Sequence, residues 1–224
     1  MEKTTDPLLF SRFQYFAQCT SHTLSDPVRK ILAVCESSKD VGVIEKEAQN
    51  LLETIKALRK YSFFVINPPK FRRIKTLFAV EEALDILSDN GVEAKKFVSF
   101  DRESMPEIVA DATQITDVFV ELIENAIKFC KTTPAIKIQY QDLGDHHVFA
   151  VANNAGGIST PYLNKIFTLS VRGDNSDGVS GEGIGLACVE AIAGNHEGKA
   201  WAKSKDGQGS IFYVSISKGL RIKD

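Results

Sequence analysis

From residue 8 to residue 37, Leu9, Phe13, Phe16, Thr20, Leu24, Pro27, Ile31 and Val34 recur at intervals of three and four. That mostly apolar stripe predicts a long helix. Pro27 lies inside it and should kink it or remove a backbone hydrogen bond. SSKD at 37–40 predicts a turn. Val41, Ile44, Ala48, Leu51, Leu52, Ile55, Leu58 and Phe63 then predict a second helix over 41–63. Two such helices joined by a short loop predict an antiparallel hairpin. One hairpin cannot bury two apolar faces, so a two-fold homodimer forming a four-helix bundle is the simplest solution. Pro68 and Pro69 in NPPKFRR stop the second helix. This divides the chain into a helical unit at 1–66, a linker at 67–75 and a second domain at 76–224.

The periodicity changes beyond the linker. FRRIKTLFAVEEALDIL reads as a short strand and a helix, and AKKFVSF as a strand. Residues 112–131 predict a helix with Ile115, Val118, Phe119, Leu122, Ile123, Ala126, Ile127 and Cys130 on its buried side. AIKIQYQDL and HHVFAVAN predict two strands around a GDH turn. A helix is expected over about 160–167. Residues 168–182, rich in Gly, Ser and Asp, predict a mobile loop. A helix is expected from 185 to about 195, and KAWAKSK and GSIFYVSI predict a closing hairpin turned at DGQG. The fold class is therefore α+β: a helical hairpin, then helices on one face of a mixed sheet.

Composition narrows the function classes. Of 224 residues, 43% are hydrophobic and 25% charged, an ordinary globular balance. A net charge of −2 gives no electrostatic case for nucleic acid. No apolar stretch approaches the roughly 20 residues that span a bilayer, and MEKTTDPLLF lacks the features of a signal peptide. Cys19, Cys35, Cys130 and Cys188 form no CxxC pair and no zinc spacing. Reduced thiols and a cytoplasmic location are expected.

Candidate chemistry lies in three segments: ELIENAIKF, NNAGGI and GEGIGL. Glycines let backbone N–H groups approach phosphates, and the helix after Gly185 would aim its positive end at them. Glu121 and Asn125, four apart, share one helix face. The Asn125 carbonyl is a hard oxygen suited to Mg²⁺, and Lys128 is one turn further as a point charge.

With these motifs in this order, the chain resembles the catalytic core of a sensor histidine kinase. Residues 8–65 resemble its dimerising histidine-phosphotransfer hairpin. Residues 70–222 resemble the ATP-binding, two-layer α/β sandwich of Bergerat type shared with gyrase, Hsp90 and MutL. The resemblance assigns ATP and Mg²⁺ as ligands, with Asn125 on the metal. It implies that Asn153 stands where the family has an adenine-binding aspartate, and Ala155 where it has a first glycine. Gly157 is kept, Phe167 resembles the residue before the lid, and Arg172 falls inside the lid. Gly181, Gly183, Gly185 and Leu186 would lie at the phosphates. GQGS at 207–210 resembles a last glycine box, and a tight hairpin turn explains it equally well. Glu121 stands where most such kinases carry asparagine; in the superfamily's ATP hydrolases a glutamate there activates water.

SHTLSDPVRKI resembles the box around the phosphorylated histidine, which makes His22 the phosphoacceptor. Most of the family has an acid directly after it, where this chain has Thr23. Asp26, one turn along, is expected to orient or deprotonate His22. The implied activity is ATP-dependent phosphorylation of His22, followed by transfer to an aspartate of a response-regulator receiver domain. The input would come from a separate sensor protein or domain. Two alternatives remain: an ATP hydrolase or serine kinase of the superfamily, and a degenerate phosphotransfer or scaffold protein that does not use ATP.

Overall fold

The computed structural model describes residues 24–25, 28–35, 40–171, 183–205 and 207–222. Helical residues 28–35 (α1) fall inside the first predicted helix, and 24–25 are also helical. Helix α2 spans Val41–Ile66. Asp40 starts it by accepting from the N–H groups of Gly42 at 3.0 Å and Val43 at 3.4 Å. At its other end, the Asn67 side-chain amide donates to the Phe63 carbonyl at 2.9 Å. Pro68 and Pro69 follow, so the helix runs three residues past the predicted Phe63. The SSKD turn lies outside the described residues but for Asp40.

Next come β1 (Arg72–Lys75), α3 (Thr76–Asp89), β2 (Val98–Phe100), β3 (Glu107–Ala110), α4 (Ala112–Lys128), β4 (Ile136–Leu143) and β5 (His146–Asn153). They are followed by α5 (Thr160–Leu163), α6 (Gly185–Asn195), β6 (Ala200–Ser204) and β7 (Ser210–Ser217). β1 and β3 form an antiparallel pair by themselves. The main sheet is five-stranded in the order β2-β4-β5-β7-β6. Only its β2–β4 pair is parallel, so the sheet is mixed.

Helices α3, α4 and α6 bury their apolar stripes with one face of this sheet. Phe119, Leu122 and Ile123 of α4 are fully buried in one cluster with Ile138, Phe149, Val151, Phe212 and Val214. Phe119 meets Phe149 edge-on, with ring centroids 5.7 Å apart. α2 lies against α6: Leu58 and Phe64 join the same cluster, and the Asn195 amide donates to the Phe64 carbonyl at 2.9 Å.

Three elements differ from the sequence pattern. The strand expected across AKKFVSF is only Val98–Phe100, because Ala94–Lys96 winds into one 3₁₀ turn. β3 is four residues long and exists as the partner of β1, a pairing that leaves no long local pattern. The helix expected over 160–167 ends at Leu163; the N–H groups of Lys165 and Thr168 bond three residues back, to Tyr162 and Lys165, so the chain continues as tight turns.

Candidate active site

α4 carries the first group of candidates. Asp111 caps it, its carboxylate accepting from the Gln114 N–H at 3.1 Å and from the Lys70 N–H at 2.7 Å. The apolar stripe turns inward, which leaves Asp117, Glu121, Asn125 and Lys128 partly buried along its flank. The start of α6 lies against that flank. A Cβ placed on Gly185 would collide with Glu121 Oε2 and stand 3.7 Å from Asn125 Nδ2. The missing Cβ at 185 lets the N-terminus of α6 lie close against Glu121 and Asn125. Gly183 sits two residues earlier at φ 69°, with its carbonyl accepting from the Ser170 N–H at 3.1 Å. Leu186 is half-buried on the first turn of α6.

The NNAGGI turn faces the β6–β7 hairpin. Ser204 Oγ accepts from the Ile158 N–H at 2.8 Å and donates to the Gly209 carbonyl at 2.9 Å. The Gly207 N–H donates to the Gly156 carbonyl at 2.9 Å. GQGS is thus both a hairpin turn and the neighbour of the NNAGGI turn. Asn153 Oδ1 accepts from the Ala155 N–H at 3.0 Å, using one of its two lone pairs. Ala155 is buried and outside the left-handed region, whereas buried Gly157 has φ 85°. Phe167 packs edge-on against Phe212, with centroids 6.4 Å apart.

Two residues that matter to this arrangement were not among the sequence candidates. Asn154 ties the turn to the segment after α4. Its Oδ1 accepts from the Ala135 N–H at 2.8 Å, and its Nδ2 donates to the Thr133 carbonyl at 3.0 Å. Lys60 reaches across from α2, with Nζ 2.7 Å from Asp117 Oδ1 and 2.9 Å from Glu121 Oε1. One signal was available: acids at 117 and 121 share a helix face and repel unless a cation stands opposite.

Burial works against the Lys60 charge, but Glu121 and Asp117 outweigh it and hold the ammonium's pKa above its usual range. Burial, with the Glu121 charge adding to it, raises Asp117 above its ordinary value despite Lys60. Two carboxylates share one cation, so the pair keeps excess negative charge. Burial also pushes the Cys188 thiol up, with Glu121 adding to it, which makes this cysteine unreactive.

The sequence candidates therefore divide. Glu121, Asn125 and Gly185 meet where α4 touches α6, with Leu186 next along α6 and Gly183 two residues before Gly185, against Val171. Asn153 and Gly157 lie on the turn beside the β6–β7 hairpin, and Lys128 closes α4. His22, Asp26, Arg172 and Gly181 lie outside the described residues. Among the described residues, no group of three His, Cys, Asp or Glu side chains gathers as a metal site, and no helix is long and apolar enough to cross a membrane.

The model of the histidine kinase-, DNA gyrase B- and HSP90-like ATPase family matches residues 110–220. Phytochrome-like protein Cph1 of Synechocystis is 29% identical over 216 residues, covering 91% of this chain and 29% of that protein. Adaptive-response sensory kinase SasA of Prochlorococcus marinus is 27% identical over 210 residues, covering 88% of this chain and 56% of that protein. The chain thus spans under a third of the first relative and just over half of the second. The crystal structure of histidine kinase ThkA in complex with response regulator protein TrrA superposes with a TM-score of 0.72 at 19% identity, covering 94% of this chain and 64% of that one. At that identity the likeness concerns the fold.

Proposed function

Because residues 110–220 belong to the histidine kinase-, DNA gyrase B- and HSP90-like ATPase family, we propose that the chain is the core of an ATP-dependent protein-histidine kinase that phosphorylates His22. One observation carries this reading: α4 presents Glu121 and Asn125 to the glycine-initiated N-terminus of α6. A helix N-terminus with no Cβ in the way suits a phosphate chain. The purine end of the nucleotide would lie toward the NNAGGI turn, where Asn153 keeps a lone pair free of the Ala155 bond.

The Asn125 side chain fits a magnesium ion: it is half-buried, beside the Cβ-free Gly185, and offers a hard oxygen. When bound, the ion would neutralise phosphate charge. Lys128 and Arg172 would add positive charge along the phosphates. His22 supplies the nucleophilic ring nitrogen, and Asp26 orients the imidazole or takes its proton. The γ-phosphoryl group moves from the β,γ-bridging oxygen to that nitrogen, and ADP leaves. Positioning and charge neutralisation account for such a step without covalent chemistry on the ATP-binding domain.

Leu24, two residues after His22, is half-buried against the apolar cluster that contains Leu58. Leu52 and Ile55 of α2 are each 47% exposed, and Phe63 is 55% exposed, a face unpartnered among the described residues that suits the homodimeric bundle. The phosphoryl group would pass to an aspartate of a response-regulator receiver domain, with input from a separate sensor and the whole exchange in the cytoplasm.

The test is retained label. With labelled ATP and Mg²⁺, wild type should take up acid-labile, base-stable label, while His22→Gln should take up none and Asp26→Asn should label more slowly. Acid-stable label, or label retained by His22→Gln, would refute the reading. An unchanged rate in Asp26→Asn would remove Asp26 from it.

A further inference from the structure

The cation that meets Glu121 does not come from the ATP-binding domain. Lys60 lies in α2, outside the matched residues 110–220, and its ammonium sits between Asp117 and Glu121 with only 31% of its side chain exposed. Glu121 is itself 15% exposed. Its Oε1 accepts from Lys60 Nζ at 2.9 Å, and its Oε2 lies close against Gly185, where a Cβ would stand.

A carboxylate at this place has an evident unwanted chemistry. In hydrolysis, a water oxygen bonds to the γ-phosphorus as the bond from that phosphorus to the β,γ-bridging oxygen breaks. The electron pair leaves on ADP, and the water proton passes to a base. A carboxylate beside the phosphates is such a base when an oxygen is free to accept the proton. We propose that Lys60 is a positioning residue that withholds Glu121 from water, so that ATP is spent on His22 rather than on hydrolysis. The inference rests on the ATP-using reading above and names a determinant of where its phosphoryl group goes. Lys60 acts through Glu121 alone and touches no substrate. Asp117 weakens the hold, since it takes part of the same ammonium at 2.7 Å.

The experiment measures two products from the full chain with ATP and Mg²⁺: free phosphate, and label on His22. Lys60→Met should release phosphate roughly tenfold faster or more, as expected for a newly available general base, without a matching gain in label. Lys60→Met with Glu121→Gln should fall back to the wild-type rate. Lys60→Arg keeps the charge and should keep the wild-type ratio of products. Lys56→Met, one turn away on an exposed pair with Glu53, should change neither product. Asp117→Asn leaves the ammonium to Glu121 alone and should lower phosphate release at least twofold. A loss of fold alone would depress both products together, so the ratio is the decisive readout.

Unchanged release in a folded Lys60→Met, or a rise that survives Glu121→Gln, would overturn the proposal. If Lys60→Met does not fold, Asp117→Asn decides, and unchanged or faster release there overturns it. Wild type that labels His22 while the lysine series stays flat removes this inference only. Wild type that makes neither product removes the kinase reading, and this inference with it.

Discussion

Replacing Gly185 with alanine adds one methyl group at the place where α4 and α6 touch. On helix propensity alone, alanine for glycine should stabilise by up to about 1 kcal/mol. The structure opposes that gain, because the new Cβ collides with Glu121 Oε2. Glu121 is not free to swing aside, since its other oxygen holds Lys60 at 2.9 Å. Displacing it loses a charge-assisted bond, about 1.5–3 kcal/mol. The net expectation for Gly185→Ala is destabilisation by about 1–2 kcal/mol. In a Glu121→Ala background the obstructing carboxylate is gone, and the same substitution should become stabilising by about 0.5–1 kcal/mol. The coupling between the two positions is then about 2 kcal/mol. Urea unfolding followed by far-UV circular dichroism, extrapolated linearly for the four proteins, measures it. An equal cost of Gly185→Ala in both backgrounds would refute the claim that Glu121 is pinned against α6.

Two further outcomes are expected. Burial holds the fully buried His196 imidazole below its ordinary 6.5, although its bond to the Ile192 carbonyl and the Asp111 charge pull the other way. Its Nε2 accepts from the Asp111 N–H at 3.0 Å, so the folded state needs the neutral ring. As pH falls through 6.5 the unfolded chain takes the proton first, and this part of the stability, complete above 6.5, declines by about 1.4 kcal/mol per pH unit down to the folded pKa. The stability gap between wild type and His196→Gln should therefore be constant from pH 8 to 6.5 and narrow below it; a gap that stays flat to pH 5 contradicts the assignment. Asn154→Ala removes the bonds to Thr133 and Ala135 at an exposed site and should cost about 1 kcal/mol. An unchanged melting temperature would show that the amide does not clamp the turn.

What could be read from the chain follows the range of the forces involved. α4 was legible because its buried side repeats at helical spacing over 17 residues, and α6 because Gly185 opens it and an apolar run follows. β4 and β5 were legible because each is eight residues long and flanks one glycine-bearing turn. β3 was not, since four residues become a strand only by pairing with β1, more than thirty positions earlier. Lys60 was not identifiable for the same reason: its partners lie 57 and 61 residues on, and the two acids call for a cation without naming which one.

The two departures from the family pattern in the NNAGGI turn differ in weight once the backbone is known. Position 155 does not need glycine, because its φ lies outside the left-handed region and its methyl is buried without displacing the turn. The demand for glycine falls across the groove, at Gly209: φ is 94°, and a Cβ there would collide with the Asn153 carbonyl. The β6–β7 hairpin therefore holds the turn from outside, through Gly209 and Ser204, and releases residue 155 from holding it within. Asn153 is the weightier change. Its amide oxygen makes the local bond to the Ala155 N–H that a carboxylate could also make, but it brings no charge to the lone pair left over. On the proposed reading, the shape of the purine end is kept while its pull is reduced, and the affinity for nucleotide would rest on the phosphate end, where Asn125 and Gly185 stand together.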